Sequence, residues 1–296
     1  MFDIKYLLSN RQIASGNEIY TLKDVSGSEY LYENNYVLPL GFMLPSDFNS
    51  IWDSSEDANP FNIQNSLAQS AAGIDNLFTR LSFEDNNSSA IITVTEDTYL
   101  YAYIMNKSIS TITVTIDGTS ESFTGVNHGR MIDIGFVSAG SVINVTGNDS
   151  SQSLQMYAYS MDINKFKQLY SRLSDEGLEV TSYDSTHING VITAQNDGLM
   201  YTSIPYDEGY TVYVDGVKTS YTSIGDKAFI ALNLSKGTHN IEFRYYPRGL
   251  KGGRIIWVIS LIILAALIAF RIKYKKELSQ PGALAYLKER KEIEKK

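Results

Sequence analysis

The chain has 296 residues, with 25 Lys plus Arg against 33 Asp plus Glu, a formal net charge of −8, and no cysteine. The acidic balance disfavours nucleic acid as a partner, and the missing thiols exclude both a disulfide framework and a thiolate metal site. Twenty-one tyrosines among many Ser, Thr, Asn and Asp describe a hydrogen-bonding, β-rich surface, and the length suits two domains, each with a core of its own.

Residues 1–88 read as an irregular α+β region. Met1 to Ser9 holds Asp3 and Lys5 inside its apolar stretch and lacks a cleavage-site pattern, so it does not read as a signal peptide. Strands are expected at Phe2 to Leu8, at Glu18 to Asp24, and on either side of Pro39 between Tyr30 and Met43. Ile63, Leu67, Ala71, Ile74 and Phe78 recur at helical spacing, which predicts a helix over Asn62 to Arg80 with an interruption near Gly73.

An internal repeat follows. Tyr99 to Ile104, Thr111 to Ile116, Asp117-Gly118, Met131 to Val137, Ala139-Gly140 and Val142 to Thr146 recur in the same order as Leu199 to Ile204, Tyr210 to Val214, Asp215-Gly216, Ala228 to Leu234, Lys236-Gly237 and His239 to Tyr246. The runs alternate apolar with polar residues, are rich in Val, Ile, Tyr and Thr, and are parted by Asp-Gly or X-Gly turns, the pattern of half-buried antiparallel strands. Two tandem β-sandwich or jelly-roll-like modules are therefore expected, at 89–160 and at 181–253 with a stalk, giving a mainly β (α+β overall) chain. Between them, Asp162 caps a linker helix within 161–180 whose Ile163, Phe166, Leu169 and Leu173 share a face and which Gly177 stops.

Ile255 to Phe270 is apolar except for Ser260 and would be ~24 Å long as a helix, close to the bilayer core once flanking cations snorkel. A transmembrane helix is expected over 254–272, with Arg254 and Trp257 at one interface and Arg271, Lys273, Lys275 and Lys276 at the other. The segment from Arg271 onward has nine basic and four acidic residues, against fifteen and twenty-nine in residues 1–253. The tail at 273–296 is accordingly placed in the cytoplasm and the acidic N-terminal region outside. Ser279 and Pro281 can start a second helix, running from about Ala283 to the end. The glycine-rich, basic Arg248 to Arg254 lacks phosphate-loop spacing and reads as a flexible juxtamembrane stalk touching lipid phosphates.

Candidate chemistry is sparse. Adjacent Asp207 and Glu208 form a carboxylate pair on a loop, but neighbours on an extended chain point to opposite sides, and a turn-stabilising Asp is the simpler alternative. Asp117 and Asp215 recur before glycine and support the fold. His187 with Asp184 invites a triad without the nucleophile elbow that one needs. No cofactor and no metal site is expected, because the three histidines are not paired at ligand spacing. Trp52, Tyr206, Tyr210, Tyr213, Tyr245 and Tyr246 offer ring faces for stacking on sugars, with core packing as the alternative.

The segment Ile204-Pro205-Tyr206-Asp207-Glu208-Gly209-Tyr210 continuing to Asp215-Gly216 resembles a block of the YfhO family of bacterial membrane proteins, with Tyr210 where that family has tryptophan. Lys5-Tyr6-Leu7, Tyr32 to Phe42, Asn59-Pro60-Phe61 with Gln64-Asn65, Thr186 to Gly190, and Leu234 to Phe243 with Pro247 and Gly249 agree in order. The resemblance implies the extracytoplasmic C-terminal portion and closing span of a polytopic protein similar to lipid-linked-sugar glycosyltransferases of the C superfamily. Such proteins act in glycosylation of cell-surface polymers of the lipoteichoic acid type. Nothing in this chain corresponds to their catalytic loop, so it would be an accessory portion that does not itself catalyse transfer. Its implied partners are membrane lipid, a glycopolymer or lipid-linked sugar, and the polytopic part of the same or an adjacent protein. A non-catalytic module docking on a separate polytopic partner is the alternative.

Overall fold

The computed structural model describes residues 4–13, 16–52, 59–278 and 282. The chain divides into two compact units, Met1–Asp207 with Thr211–Arg244, and Glu208–Tyr210 with Tyr245–Lys296.

In the first unit, β1 (Tyr6–Ser9), β2 (Tyr20–Ser26) and β3 (Glu29–Asn34) form a three-stranded antiparallel sheet in the order β1-β3-β2. After it come β4 (Gly41–Pro45), the short helix α1 (Phe48–Ile51) and α2 (Pro60–Ala72). The first sandwich then runs through β5 (Phe78–Arg80), β6 (Glu84–Asn86), β7 (Ser89–Thr93), β8 (Thr98–Ile104), β9 (Thr111–Ile116), β10 (Thr119–Thr124), β11 (Met131–Val137), β12 (Val142–Gly147) and β13 (Met156–Met161). Helix α3 (Ile163–Asp175) leads to β14 (Glu179–Tyr183), β15 (His187–Ala194), β16 (Gly198–Pro205), β17 (Tyr210–Val214), β18 (Val217–Thr219), β19 (Thr222–Ile224), β20 (Phe229–Leu234) and β21 (Gly237–Tyr245).

The repeat seen in the sequence is a repeat of topology. The five-stranded sheets have the orders β10-β9-β12-β7-β6 and β18-β17-β21-β15-β14, the same order with corresponding strands. Asp117 and Asp215 take left-handed φ values of 50° and 52° before Gly118 and Gly216, as two-residue hairpins between twisted strands require. Asp97 and Asp197 repeat a second device: each carboxylate accepts a backbone N–H of the opposite turn, from Ala139 at 2.8 Å and Lys236 at 2.7 Å.

The two four-stranded sheets, β11-β8-β13-β5 and β19-β20-β16-β4, differ: β5 extends one beyond β13, β19 extends the other beyond β20, and the third partner comes from a different place in the chain. The strand beside β8 is β13, which follows it in the chain, whereas the strand beside β16 is β4, which lies far upstream. Two further strands, β5 and β6, join the first sandwich from before Ser89. Gly198 makes the β4–β16 contact possible: a Cβ there would sit 2.7 Å from the Leu44 carbonyl oxygen.

Alternation decides what these sheets bury. On β8, Leu100, Ala102 and Ile104 pack with Ile92, Ile112 and Ile143 inside the sandwich, while Tyr99, Tyr101 and Tyr103 turn to a second core built around α2 and α3. On β16, Leu199 and Tyr201 join that same helical core, and the intervening Met200, Thr202 and Ile204 are buried on the other face. The helices are thus a filling shared by both four-stranded sheets. Asn59 caps α2 by accepting the Phe61 N–H (3.0 Å), with Pro60 at the first helical position. Asn65 grips β5 twice, donating to the Phe78 carbonyl at 2.8 Å and accepting its N–H at 2.7 Å. Asp162 caps α3 through the N–H groups of Asn164 and Lys165 at 2.9 and 3.1 Å, and Phe166, Leu169 and Leu173 are its buried face, as expected.

Two expectations need amendment. Helix α2 does not extend to Arg80: Gly73 ends it in a left-handed cap (φ 63°), its N–H bonding the Gln69 carbonyl at 2.8 Å, and Phe78–Arg80 is strand. The glycine-rich segment before the span is not a flexible stalk, because α4 (Leu250–Leu278) already begins there and the Gly253 N–H bonds the Gly249 carbonyl at 2.7 Å. The long apolar run behind it propagates the helix through two glycines that would otherwise cost about 1 kcal/mol each. The helix expected from Ala283, and Phe2 and Asp3 of the first strand, lie outside the described residues.

Candidate functional site

The second unit contains Glu208–Tyr210 from the middle of the Ile204 to Gly216 block that resembles the known family. Four residues, Tyr246–Gly249, join the end of β21 to α4. The loop residues 208–210 hold this junction: the Tyr246 N–H donates to the Gly209 carbonyl at 3.0 Å, Glu208 is ion-paired with Arg248, and the Tyr210 and Tyr245 rings meet at 4.7 Å. Tyr246 is 38% exposed and carries Lys251 5.9 Å from its ring centre. The sequence-nominated set Glu208, Tyr210, Tyr245 and Tyr246 is therefore brought together as a clamp on the polypeptide that enters the helix.

Within that helix the 26 residues Leu250–Lys275 are long and apolar enough to cross a membrane, about 39 Å at 1.5 Å per residue, and none of them is buried among the described residues. Its one polar position inside the apolar run is satisfied locally, Ser260 Oγ donating to the Ile256 carbonyl at 2.8 Å. Arg254 and Trp257 stand near its start and Arg271, Lys273 and Lys275 near its end, all exposed; Lys276 lies in the helix with its side chain outside the described residues.

The other nominated residues belong to the first unit. Tyr206 packs on Tyr221 with ring centres 5.7 Å apart, and the Tyr221 hydroxyl donates to the Asp207 carbonyl at 2.9 Å. Trp52 stacks on Phe48 at 5.4 Å and helps line a wholly apolar cavity of about 170 Å³ with Phe42, Tyr201 and Phe229. Tyr213 lies under the Arg244 guanidinium at 4.5 Å. Asp184 accepts the N–H groups of Thr186 and His187 at 2.6 and 2.8 Å, and these bonds hold its carboxyl down at about 2. His187 Nδ1 lies 3.2 Å from Asp184, but among the described residues no hydroxyl meets its Nε2, as a triad would need.

Turn residue Asp215 does more than support its hairpin. Its carboxylate accepts the Asn240 N–H at 2.8 Å and faces His239 Nδ1 at 2.8 Å, while His239 Nε2 sits 2.9 Å from the Ser235 carbonyl. Only imidazolium donates from both nitrogens, so the hydrogen bond to Asp215 raises the His239 pKa above its ordinary value and His239 in turn lowers that of Asp215. A folded-state histidine pKa above the unfolded one contributes stability that is present at low pH and is lost as pH rises through the raised value. The melting temperature should therefore fall as pH rises from the ordinary histidine pKa through the raised folded-state one, and His239→Gln should flatten that fall. An unchanged slope in thermal melts would refute the pairing.

A cleft of about 600 Å³ in the first unit lies elsewhere, between residues 7–13 and strands β10 and β11. Its centre is Asp133, at a β-bulge where the register shifts between Asp133 and Gly135 and Gly135 adopts φ 100°. Arg11 reaches in from the N-terminal segment, ion-paired with Glu121, 5.0 Å over the Phe123 ring, and with Nη2 3.5 Å from the Asp133 carbonyl. Asp133 is ringed by protein yet open to the cleft. Desolvation pushes its carboxyl up to about 6, against the opposing pull of Arg11 and the Gly135 N–H. Tyr20 and Phe136 add aromatic surface, and Asn10, Gln12 and Asn17 add amides. By alternation alone Met131 to Val137 reads as a plain strand. The isolated glycine two residues after an aspartate was the signal of a bulge.

Comparison with known proteins gives one family. The model described as bacterial membrane protein YfhO matches residues 85–257. No curated protein matches the sequence. Among solved structures, a cycloisomaltooligosaccharide glucanotransferase from Paenibacillus sp. complexed with cycloisomaltoheptaose is 9% identical over 55% of this chain, with a TM-score of 0.17, and the chain covers only 44% of it. YhhW from Escherichia coli is 12% identical over 57% of this chain and 76% of its own, TM-score 0.17. The GH2 β-galacturonidase of Eisenbergiella tayi bound to galacturonate is 9% identical over 81% of this chain and 38% of its own, TM-score 0.18. Likenesses at these scores carry no argument.

Proposed function

The chain belongs to the YfhO family of bacterial membrane proteins, whose model covers more than half of it, and from that membership we propose that it is the membrane-held extracytoplasmic portion of a glycosyltransferase-like protein. In this role it contacts a cell-surface glycopolymer or a lipid-linked sugar, in polymer glycosylation of the lipoteichoic acid type. The transfer chemistry belongs to a polytopic part of the same or an adjacent protein.

The observation that supports this most is the four-residue junction between β21 and α4, gripped by the Glu208–Tyr210 loop. A portion continuous in sequence with a span is suited to a substrate that is itself anchored in the membrane. Charge supports the orientation: the basic residues after the span favour the cytoplasmic side. The second reading, a module docking on a separate polytopic partner, draws support from α4 itself, since among the described residues no side of Leu250–Lys275 is covered and other spans could cover it as readily as lipid.

Full-length chain in lipid nanodiscs should bind purified surface glycopolymer saturably in a titration monitored by calorimetry. Absence of binding to teichoic-type and neutral wall polymers, together with co-purification of a multi-span protein, would discard glycan contact in favour of docking.

A further inference from the structure

The cleft at the β11 bulge admits a narrower assignment, which rests on the proposal that the outer part contacts glycan. We propose that the cleft formed by Arg11, Gln12, Tyr20, Glu121, Asp133 and Phe136 binds an uncharged pyranose ring or a short stretch of uncharged glycan.

Size is the first reason: about 600 Å³ falls within the range of ~300–1,000 Å³ usual for small-molecule sites. Surface chemistry is the second. Tyr20 and Phe136 supply apolar ring faces of the kind that meet the C–H face of a sugar, while Gln12 and the carboxylates supply hydrogen-bond partners for its rim of hydroxyls.

Preorganisation is the third reason. Arg11 is already fixed by Glu121, the Phe123 ring and the Asp133 carbonyl, so its remaining N–H donors need little ordering when a ligand arrives. The bulge inserts Ile134 directly after Asp133, which still pairs with Tyr101, and such bulges are concentrated beside functional sites.

Charge selects within the carbohydrates. Glu29, Glu121 and Asp133 line the cleft against Arg11 alone, and Glu121 already occupies that arginine. A phosphodiester or uronate would meet like charge, whereas hydroxyl groups donate to carboxylates. The uncharged sugar of a decorated polymer therefore fits the cleft, and a polyol-phosphate backbone does not.

The test uses full-length chain in nanodiscs, titrated with methyl glucoside, methyl galactoside, methyl N-acetylglucosaminide, a glycerol-phosphate oligomer and glycosylated surface polymer. At least one neutral glycoside should bind and compete with the polymer, the glycerol-phosphate oligomer should not, and Asp133→Asn should weaken binding about tenfold or more by removing a charged acceptor. Gln12→Ala, at an exposed position, should also weaken it and guards against misfolding in the first variant. Polymer binding unchanged by both substitutions in folded protein would overturn the cleft assignment and leave glycan contact standing. Competition by the glycerol-phosphate oligomer would overturn the preference for uncharged sugar. No binding of polymer or glycoside by the unmutated chain would overturn both the cleft and the broader proposal.

Discussion

Replacing Phe61 with alanine is expected to destabilise the β-rich unit by about 3–5 kcal/mol, the usual cost of emptying a large buried aromatic site. Phe61 is fully buried in the helical layer, stacked on Tyr159 of β13 at 4.1 Å with 19° between the ring planes, and 5.4 Å from Phe78 of β5. Neighbouring Asn59 caps the same helix and donates to the Tyr159 hydroxyl at 2.9 Å. The cavity would therefore open where α2 meets the first sandwich, and α2 is part of the filling that the second sandwich also covers. Phe61→Leu keeps most of the volume and should cost much less. Thermal unfolding of the full chain in detergent, followed by near-ultraviolet circular dichroism, checks this. An unchanged melting temperature in Phe61→Ala would mean that the helical layer is not the shared core described here.

This layer explains several of the short blocks by which the chain resembles its family. In Asn59-Pro60-Phe61 with Gln64-Asn65, the first residue caps, the second starts the helix, the third fills the core, and Asn65 ties the helix to β5. Gly190, in the Thr186 to Gly190 block, lies where a Cβ would come 2.8 Å from the Glu179 carbonyl across β14 and β15. The Glu208–Tyr210 loop secures the entry to α4. These residues serve construction, and apart from Leu7 the cleft around Asp133 is built by residues outside the blocks that resemble the family.

Local rules made much of the fold legible. Asp-Gly turns at 117–118 and 215–216, alternation on the flanking strands, the Asp162 cap and the apolar run after Arg254 each carry their meaning in a few neighbouring residues. What stayed hidden depends on partners distant in sequence. Nothing in Gly41–Pro45 says that it pairs with β16 rather than with its own hairpin, because an antiparallel edge accepts any strand of compatible pattern. Tyr99, Tyr101 and Tyr103 look like a polar face until a helical layer covers them, since tyrosine is at home in either setting. The cleft escaped notice for the same reason: Arg11 and Asp133 are 122 positions apart and meet only in the folded chain.

The placement of the β-rich unit outside the membrane is the claim on which the functional proposal depends, and the composition makes it directly measurable. With no native cysteine, a single introduced thiol reports its own position without background. Tyr183, on edge strand β14 of the first unit, is 81% exposed and suits substitution by cysteine, with Ser279→Cys in the basic tail as the opposite marker. Moving the acidic region across a bilayer is all-or-none, so the two positions should differ completely. In intact bacteria expressing the full-length protein, a membrane-impermeant maleimide should label Tyr183→Cys at once and Ser279→Cys only after permeabilisation. Labelling of Ser279→Cys in intact cells, with Tyr183→Cys protected until they are opened, would contradict the account.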